Sequence, residues 1–324
     1  MSEVAVVISS YQAEQYIECA IRSVLAQDLT GFELLVQDDA STDRTVEIAN
    51  SIQDPRLRVV VSGANQGAVA NFNSGIDGTR AEFVVKLDAD DFLLPGFLHA
   101  CCEALGSDGS LAFVFTEAQR IAQGRPAGLM TGWPASVAMS GRDFILAALA
   151  GGDPCSASAV MFRRTAFRAA GGFRWPTSGA PFGEDYTLWL RMAATGSVRF
   201  LPEPLSAYRA HPAGLTGRLR NPALREPFRH MVDELERAIE FARARGVLAG
   251  SDLARANRLL ARHCLRAADA CAFLPEHRAY SIRQAWRLSA REVALSRHSW
   301  RLALKLAVGV DTVEQIRRSR RVHA

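Results

Sequence analysis

Apolar residues arrive along this chain in short blocks of two kinds. Residues 4–8 (Val-Ala-Val-Val-Ile) are uninterrupted, the pattern of a strand buried on both faces. A polar turn, Ser9-Ser10-Tyr11-Gln12, follows, and then Ile17, Ala20, Ile21, Val24 and Leu25 recur at helical spacing. The alternation continues with a strand over 32–36 that ends at Asp38-Asp39. Next comes a helix carrying Val46, Ile48, Ala49 and Ile52, with Ser41 or Thr42 as its cap. A third strand is expected over 57–61, a polar helix over 67–78, a fourth strand over 83–87 running into Asp88, a helix over 98–105 and a fifth strand over 111–115. Strands and helices in strict alternation predict an α/β fold, a mostly parallel sheet flanked by helices with right-handed crossovers. Ligands of such sheets sit beyond the carboxyl ends of the strands. The turns at Ser9–Tyr11, Asp38–Asp39 and Asp88–Asp91 should therefore face one crevice.

The pattern loosens after residue 120. Residues 124–134 read as a loop, and Ser140-Gly-Arg-Asp143 resembles a capping sequence for a helix reaching Leu149. Glu184 to Ala194 is helical, after a stretch rich in Gly and Pro. Beyond Pro222 the chain is helical almost throughout, with Phe228, Val232, Leu235, Ile239 and Ala242 forming one apolar stripe. Charge divides at about the same place. The first 214 residues hold 16 Lys or Arg against 23 Asp or Glu, and the last 110 hold 22 against 11, within a net charge of +4. Two regions are expected: 1–214, with a nucleotide-binding half to about 118 and an acceptor half from 119, and a basic helical region over 215–324.

The 324 residues, 48% of them hydrophobic, suit a large folded domain with an appendage. No window approaches ~18 unbroken apolar residues, and the start Met1-Ser2-Glu3 lacks a signal pattern, so a cytoplasmic protein is expected. Six cysteines include no C-x-x-C pair and read as reduced thiols.

Leu87-Asp88-Ala89-Asp90-Asp91 carries the strongest chemical signal. Carboxylates two apart in an irregular turn can direct oxygens at a hard cation that shares its other sites with phosphate. Alone, a D-x-D is more often a solvated acidic turn; the buried strand before it and the acidic turn at a neighbouring strand end reverse that balance in favour of the metal. Two acids at a helix start, Glu184-Asp185, can by themselves merely complement the helix dipole.

Several segments in order resemble the inverting family-2 glycosyltransferases of GT-A fold, a Rossmann-like architecture. They are Val6-Val-Ile-Ser-Ser-Tyr-Gln12, Ser23-Val-Leu-Ala-Gln27, Phe32 to Asp43, Asn65-x-Gly67, Asn73-x-Gly75, Leu87 to Asp91 and Gly183-Glu-Asp-Tyr-Thr-Leu-Trp-Leu-Arg191. The resemblance covers roughly residues 3–211 and is specific for family, not for substrate. It implies that Ser9, Tyr11 and Asp39 form the nucleobase pocket, with Tyr11 stacked on uracil and Asp39 accepting from its N3–H. It places Asp38 in support of the turn, Asp88 near the ribose, Asp90 on Mn²⁺ or Mg²⁺, and Asp91 behind them. Asn73 and the Asn65–Gly67 turn shape the pocket floor, or Asn65 simply caps the next helix. Asp185 is implied to be the general base, with Glu184 beside it. Tyr208-Arg209-Ala210-His211 resembles the segment that closes over the donor, so His211 would touch metal or diphosphate and Arg209 phosphate. The expected partners are a nucleotide-sugar donor, UDP-linked on family grounds, and a glycan or lipid-linked acceptor.

Two departures stand out. Gln12 occupies a turn position where the family commonly has Asn. The Q-x-x-R-W motif of processive synthases is absent, Arg283-Gln-Ala-Trp286 not being that motif, so a single-addition enzyme is expected. Trp133 and Trp175 are candidates for stacking on an acceptor, although packing suits each as well. Among rivals, a dinucleotide-dependent oxidoreductase would need G-x-G-x-x-G where this chain has Ser9-Ser-Tyr-Gln-Ala-Glu14. A nucleotidyltransferase would need a Gly-rich, Arg-containing loop there. A non-catalytic nucleotide-sugar or carbohydrate-binding protein on the same fold is opposed by Asp88, Asp90 and Asp185. Nucleic-acid binding is not expected, since the C-terminal Arg residues follow helical spacing rather than a compact motif. For that region two uses stay open. Its apolar stripes pack helix on helix or form a homodimer, or its basic face, best at Trp300 to Val308 and Arg317 to Arg321, lies on the inner face of an anionic membrane.

Overall fold

The protein is described by a computed structural model over residues 3–130, 138–151, 155–174, 183–212, 214, 227–270 and 275–295. The first half follows the expected alternation closely: β1 (Val4–Ser10), α1 (Ile17–Leu25), β2 (Phe32–Asp38), α2 (Thr45–Ser51), β3 (Leu57–Val61), α3 (Ala68–Asp77), β4 (Phe83–Asp88), β5 (Phe92–Leu93), α4 (Phe97–Ser107) and β6 (Leu111–Ala122). The second half continues with β7 (Arg125–Leu129), β8 (Ala138–Met139), α5 (Gly141–Gly151), a 3₁₀ turn (Ala157–Ala159), β9 (Val160–Arg163), α6 (Arg164–Ala169), α7 (Glu184–Ala193) and β10 (Ser197–Ala210). Four helices end the described chain: α8 (Pro227–Ala244), α9 (Gly250–Ala270), α10 (Pro275–Leu288) and α11 (Ala290–Leu295).

All ten described strands join one sheet, in the order β3-β2-β1-β4-β9-β6-β10-β5, with β7 on β6 and β8 on β10. The expected parallel arrangement holds for β3-β2-β1-β4 and recurs where β6 meets β10. The antiparallel strand β9 is wedged between β4 and β6, so the sheet as a whole is mixed. Residues 124–129 are not the loop their polar, Gly-containing sequence suggested. Gln123 and Gly124, both at positive φ, turn the chain into the exposed strand β7.

Alternate residues of each strand go to opposite faces, as the pleat requires. Val6, Ile8, Val85 and Leu87 join α1 and α4 in one core; Val7 and Val84 join α3, α5 and α7 in the other. The second core also contains an aromatic cluster of Phe113, Phe115, Phe144 and Trp189, with Phe113 and Phe144 edge-on at 5.3 Å. Leu235, Ala238 and Ile239 of α8 and Leu259 and Leu260 of α9 belong to this same core. The C-terminal helices are thus packed on the sheet-bearing part through α7 and α5. Among the described residues no helix is long and apolar enough to cross a membrane. Trp133, Trp175 and the two basic segments from 300 to 308 and 317 to 321 lie outside the described residues.

One glycine sets how closely α3 approaches the sheet. A Cβ at Gly75 would lie 2.6 Å from Val7 Cγ1, closer than packed atoms allow, and a tight 3.2 Å from Gln37 Cβ. Gly75→Ala should therefore cost about 1–3 kcal/mol of stability by overpacking, read as a lower urea midpoint with an unchanged slope.

The caps correct one expectation and support another. Ser41 and Thr42 do not cap α2. Arg44 occupies the cap position without a side-chain bond, and Asp43 before it holds the first helical residue, its Oδ1 accepting from the Thr45 N–H at 3.0 Å and the Thr45 hydroxyl at 2.5 Å. At α5 the expected cap forms, with the Asp143 N–H donating to Ser140 Oγ at 3.1 Å and the Ser140 hydroxyl donating to Asp143 at 2.7 Å.

Candidate active site

Four strand ends and one helix start converge on the crevice. At the first, the Ser10 hydroxyl donates to Asp38 Oδ2 at 2.7 Å, and Asp38 also accepts the Ser41 N–H and hydroxyl, each at 2.7 Å. Asp38 is fully buried and holds the two turns together. Gln12 performs the same service on the outside. Its Oε1 accepts the N–H groups of Thr42 and Asp43, and its own N–H donates to Ser41 Oγ at 2.9 Å. Gln12 and Ala40, one in each turn, adopt left-handed φ of 52° and 60°. Such backbone costs about 1–3 kcal/mol per residue and persists where surroundings enforce it.

Asp39 is 2% exposed and clamps the next turn: Oδ1 accepts from Gln66 N–H and Oδ2 from Gly67 N–H, both at 2.8 Å. Asn65 does not cap α3; its Oδ1 accepts from Gly67 N–H within the turn, and Gly67, at φ 86°, begins the helix. Tyr11 projects at the rim, 51% exposed. Ser9 lies inside, its hydroxyl oxygen accepting from Asn71 Nδ2 at 2.8 Å. Asn73 faces elsewhere than expected. Its amide exchanges two hydrogen bonds with the Phe173 backbone, at 2.9 and 3.0 Å, and so braces the loop after α6. The asparagine directed at the strand ends is Asn71, which also donates to the Gln37 carbonyl. In the sequence it carries no mark beyond lying two residues before Asn73.

At the end of β4 the three aspartates take three different roles. Asp88 receives both its ammonium contacts from Lys86, at 3.0 and 3.2 Å. Asp90 Oδ2 lies 2.9 Å from His211 Nε2, and His211 Nδ1 lies 3.5 Å from the Tyr16 hydroxyl. Burial, then the Asp88 charge, raises the Asp90 carboxyl above its ordinary value against the pull of His211. Asp91 turns inward, accepting from the Ser158 hydroxyl at 2.6 Å and from the Arg209 N–H at 2.8 Å. Burial and the adjacent Asp90 and Asp88 charges push its carboxyl well above the usual range. Asp91 thereby ties β4 to β10. Ser158, which also accepts the Asp88 N–H, gave no signal in the sequence because it comes from a turn 67 residues on. The Arg209 guanidinium lies over the Tyr16 and Phe92 rings, 5.1 and 5.2 Å from their centres.

Glu184 and Asp185 open α7 across the crevice. Asp185 Oδ1 accepts the Tyr186 N–H at 2.8 Å. Burial first, and then the Asp185 charge, pushes Glu184 up to about 8; burial likewise raises Asp185, with Lys86 opposing. Asp88 adds to the rise at both, so the two acidic turns share one electrostatic field. The buried Lys86 is the cation between them, and the sequence reading passed over it. A lysine inside an apolar strand is notable in itself, since such residues are almost never fully buried unpaired.

The sequence profile described as Glycosyl transferase family 2 matches residues 5–170, just over half of the chain. The chain belongs to this family. An uncharacterized glycosyltransferase of Haemophilus influenzae is 25% identical over 217 residues, which are 64% of this chain and 65% of that protein. The chain thus spans slightly less than two thirds of that relative. Among solved structures, S. aureus TarS 1–349 in complex with UDP-GlcNAc superimposes with a TM-score of 0.59 at 16% identity, covering 89% of this chain and 90% of the other. The mannosyltransferase PcManGT from Pyrobaculum calidifontis, in complex with GDP-Man and Mn²⁺, does so at 0.54 and 20% identity, covering 95% and 87%. These likenesses extend the shared fold beyond the matched region to the described C-terminal helices. The family to which the chain belongs is one of glycosyltransferases.

Proposed function

We propose that this glycosyltransferase works by inversion, adding one sugar at a time from a UDP-linked donor to a saccharide hydroxyl, free or lipid-linked. The observation that carries the reading is the placement of Asp185 across one crevice from the Asp88–Asp90 turn. A donor laid over the strand ends would have its diphosphate at Asp90 and its anomeric carbon facing α7. Asp185 takes the proton of the acceptor hydroxyl as that oxygen bonds to the anomeric carbon. The bond from that carbon to the diphosphate oxygen breaks, and its electron pair leaves with the nucleotide.

Asp90 and His211 fit a divalent cation. Their ligand atoms converge, and among the described residues no third His, Cys, Asp or Glu completes a protein-only site. Two protein ligands leave positions for diphosphate oxygens and water, as Mg²⁺ and Mn²⁺ favour. When bound, the ion neutralises charge on the leaving diphosphate. Arg209, close to His211, adds positive charge on the same side.

On the nucleoside side, Ser9, Asp39 and the exposed Tyr11 ring form the base pocket. Each Asp39 oxygen already accepts one backbone N–H, and its second lone pair is left for the N3–H of uracil. Cytosine has no proton at N3. Titration calorimetry should find UDP binding more tightly than CDP by about tenfold, the worth of roughly 1.4 kcal/mol; tighter binding of CDP would remove Asp39 from base recognition. The activity is tested by incubating the protein with a panel of nucleotide sugars and measuring released nucleotide. No release above background from any donor, with sugar acceptors present, would refute the enzymatic reading.

A further inference from the structure

Asn71 is buried in α3 beneath the strand ends, and its amide settles the direction of a hydrogen bond there. Its Nδ2 lies 2.8 Å from the Gln37 backbone carbonyl and 2.8 Å from Ser9 Oγ. A carbonyl oxygen can only accept, so the group facing Gln37 must be the NH₂. Turning the amide over would set Oδ1 against that carbonyl, oxygen to oxygen, and leave a buried acceptor without its bond. With one hydrogen given to Gln37, the other goes to Ser9 Oγ, which must accept it. Oδ1 has no partner among the described residues, so nothing on the far side of the amide competes with this orientation.

A serine hydroxyl carries one hydrogen and two lone pairs. Asn71 takes one lone pair of Ser9, and among the described residues no acceptor faces the hydrogen. The half-buried Ser9 therefore presents a donor at the end of β1. Asp39, directly after the paired strand β2, presents an acceptor. Both side chains are tied to the start of α3. Asp39 accepts from Gln66 and Gly67, and Asn71, one turn further on, donates its own N–H to the Gly67 carbonyl at 3.0 Å. A donor and an acceptor at neighbouring strand ends match an imide edge, in which the N3–H of uracil is flanked on either side by a carbonyl oxygen.

We propose that Asn71 is a positioning residue for donor specificity: it turns the Ser9 hydrogen away from α3, so that Ser9 donates to a uracil carbonyl beside the N3–H taken by Asp39. The proposal rests on the reading of Ser9 and Asp39 as the base pocket.

The test measures binding of UDP, 2-thio-UDP and 4-thio-UDP by titration calorimetry, a thiocarbonyl being a poor hydrogen-bond acceptor. For the wild type, one of the two analogues should bind about 3–10-fold more weakly than UDP, the worth of one hydrogen bond between neutral groups. Ser9→Ala should show that same loss with UDP and should no longer distinguish the analogue. Asn71→Asp keeps the shape but accepts where the amide donated, so the Ser9 hydrogen turns back to it. This variant should behave as Ser9→Ala does, and combining the two should cost nothing further. Circular dichroism establishes which variants fold; if Asn71→Asp does not, Asn71→Ala, which leaves Ser9 without its donor, carries the comparison with a smaller loss in the same direction. Equal binding of UDP and both analogues by the wild type, or full discrimination kept in the Asn71 variants, would overturn the role and leave Asn71 as a brace between α3 and β2. Ribose 5-diphosphate separates the two readings. If the wild type binds it as tightly as UDP, the base pocket fails and the Asn71 role with it; if UDP binds more tightly while both analogues match UDP, only the Asn71 role fails.

Discussion

Asp185→Asn should slow turnover by about 10²–10⁴-fold, the usual worth of a general base, and leave affinity for the nucleotide within a few-fold. The amide keeps the shape and an oxygen for the Tyr186 N–H but takes no proton. Affinity should be spared because the contacts proposed for the nucleotide come from strand ends and not from α7. The split between kcat and Kd is the informative reading, obtained from steady-state kinetics beside UDP calorimetry. Turnover surviving within a few-fold would move the role to Glu184. That residue is poorly suited to it near neutrality, because a carboxyl pushed up to about 8 is mostly protonated there. The raised Asp185 carboxyl also has a pH consequence. A base must be ionised, so activity should fall on the acid side from a pH above the ordinary carboxylate range. For stability the sign is opposite to that of a salt-bridged acid. A carboxyl raised in the folded state favours folding below its unfolded value and withdraws that contribution as pH rises through the folded one.

Chelation is expected to produce an equally large effect. Excess EDTA should abolish transfer, and Mn²⁺ or Mg²⁺ should restore it. Asp90→Ala should be inactive at any concentration of either ion that leaves the wild type saturated. The Asp90–His211 pair predicts a companion effect: His211→Ala should raise the metal requirement by at least about 10–100-fold, the loss that removal of even an outer partner of a metal ligand causes. Full activity in excess EDTA would remove the metal from the reading and leave His211 as a simple partner of Asp90.

The first half of this molecule was legible because its signals are local. Continuous apolar runs bounded by polar turns fix β1, β2 and β4, and their ends carry the acids that matter. What escaped depends on chain segments far apart. Strand β9 is four residues long and antiparallel, inserted between β4 and β6 with nothing in its own composition to announce it. Ser158 reaches Asp91 and Asn71 reaches Ser9 only after the sheet has assembled. Lys86 was visible in the sequence, but its importance comes from the acids that α7 brings opposite it. The asparagine directed at the strand ends is Asn71, two residues before Asn73. Neighbours two apart on a helix point to different sides, and residues 71 and 73 accordingly serve the strand ends and the Phe173 loop.

Helix α7 begins with the proposed base and is covered by α8, where Met231 approaches within 3.2 Å of where a Cβ on Gly183 would lie. The family match, by contrast, ends at residue 170. The crevice is therefore assembled from two stretches of chain, one inside the matched segment and one beyond it. The turns proposed to hold the nucleoside, and Asp90, lie inside the matched segment, while His211, the acid proposed to accept the proton and the helices packed on α7 lie beyond it. A change on α8, outside the matched segment, should reach the proposed base through the contact at Gly183 and be felt as a change in rate.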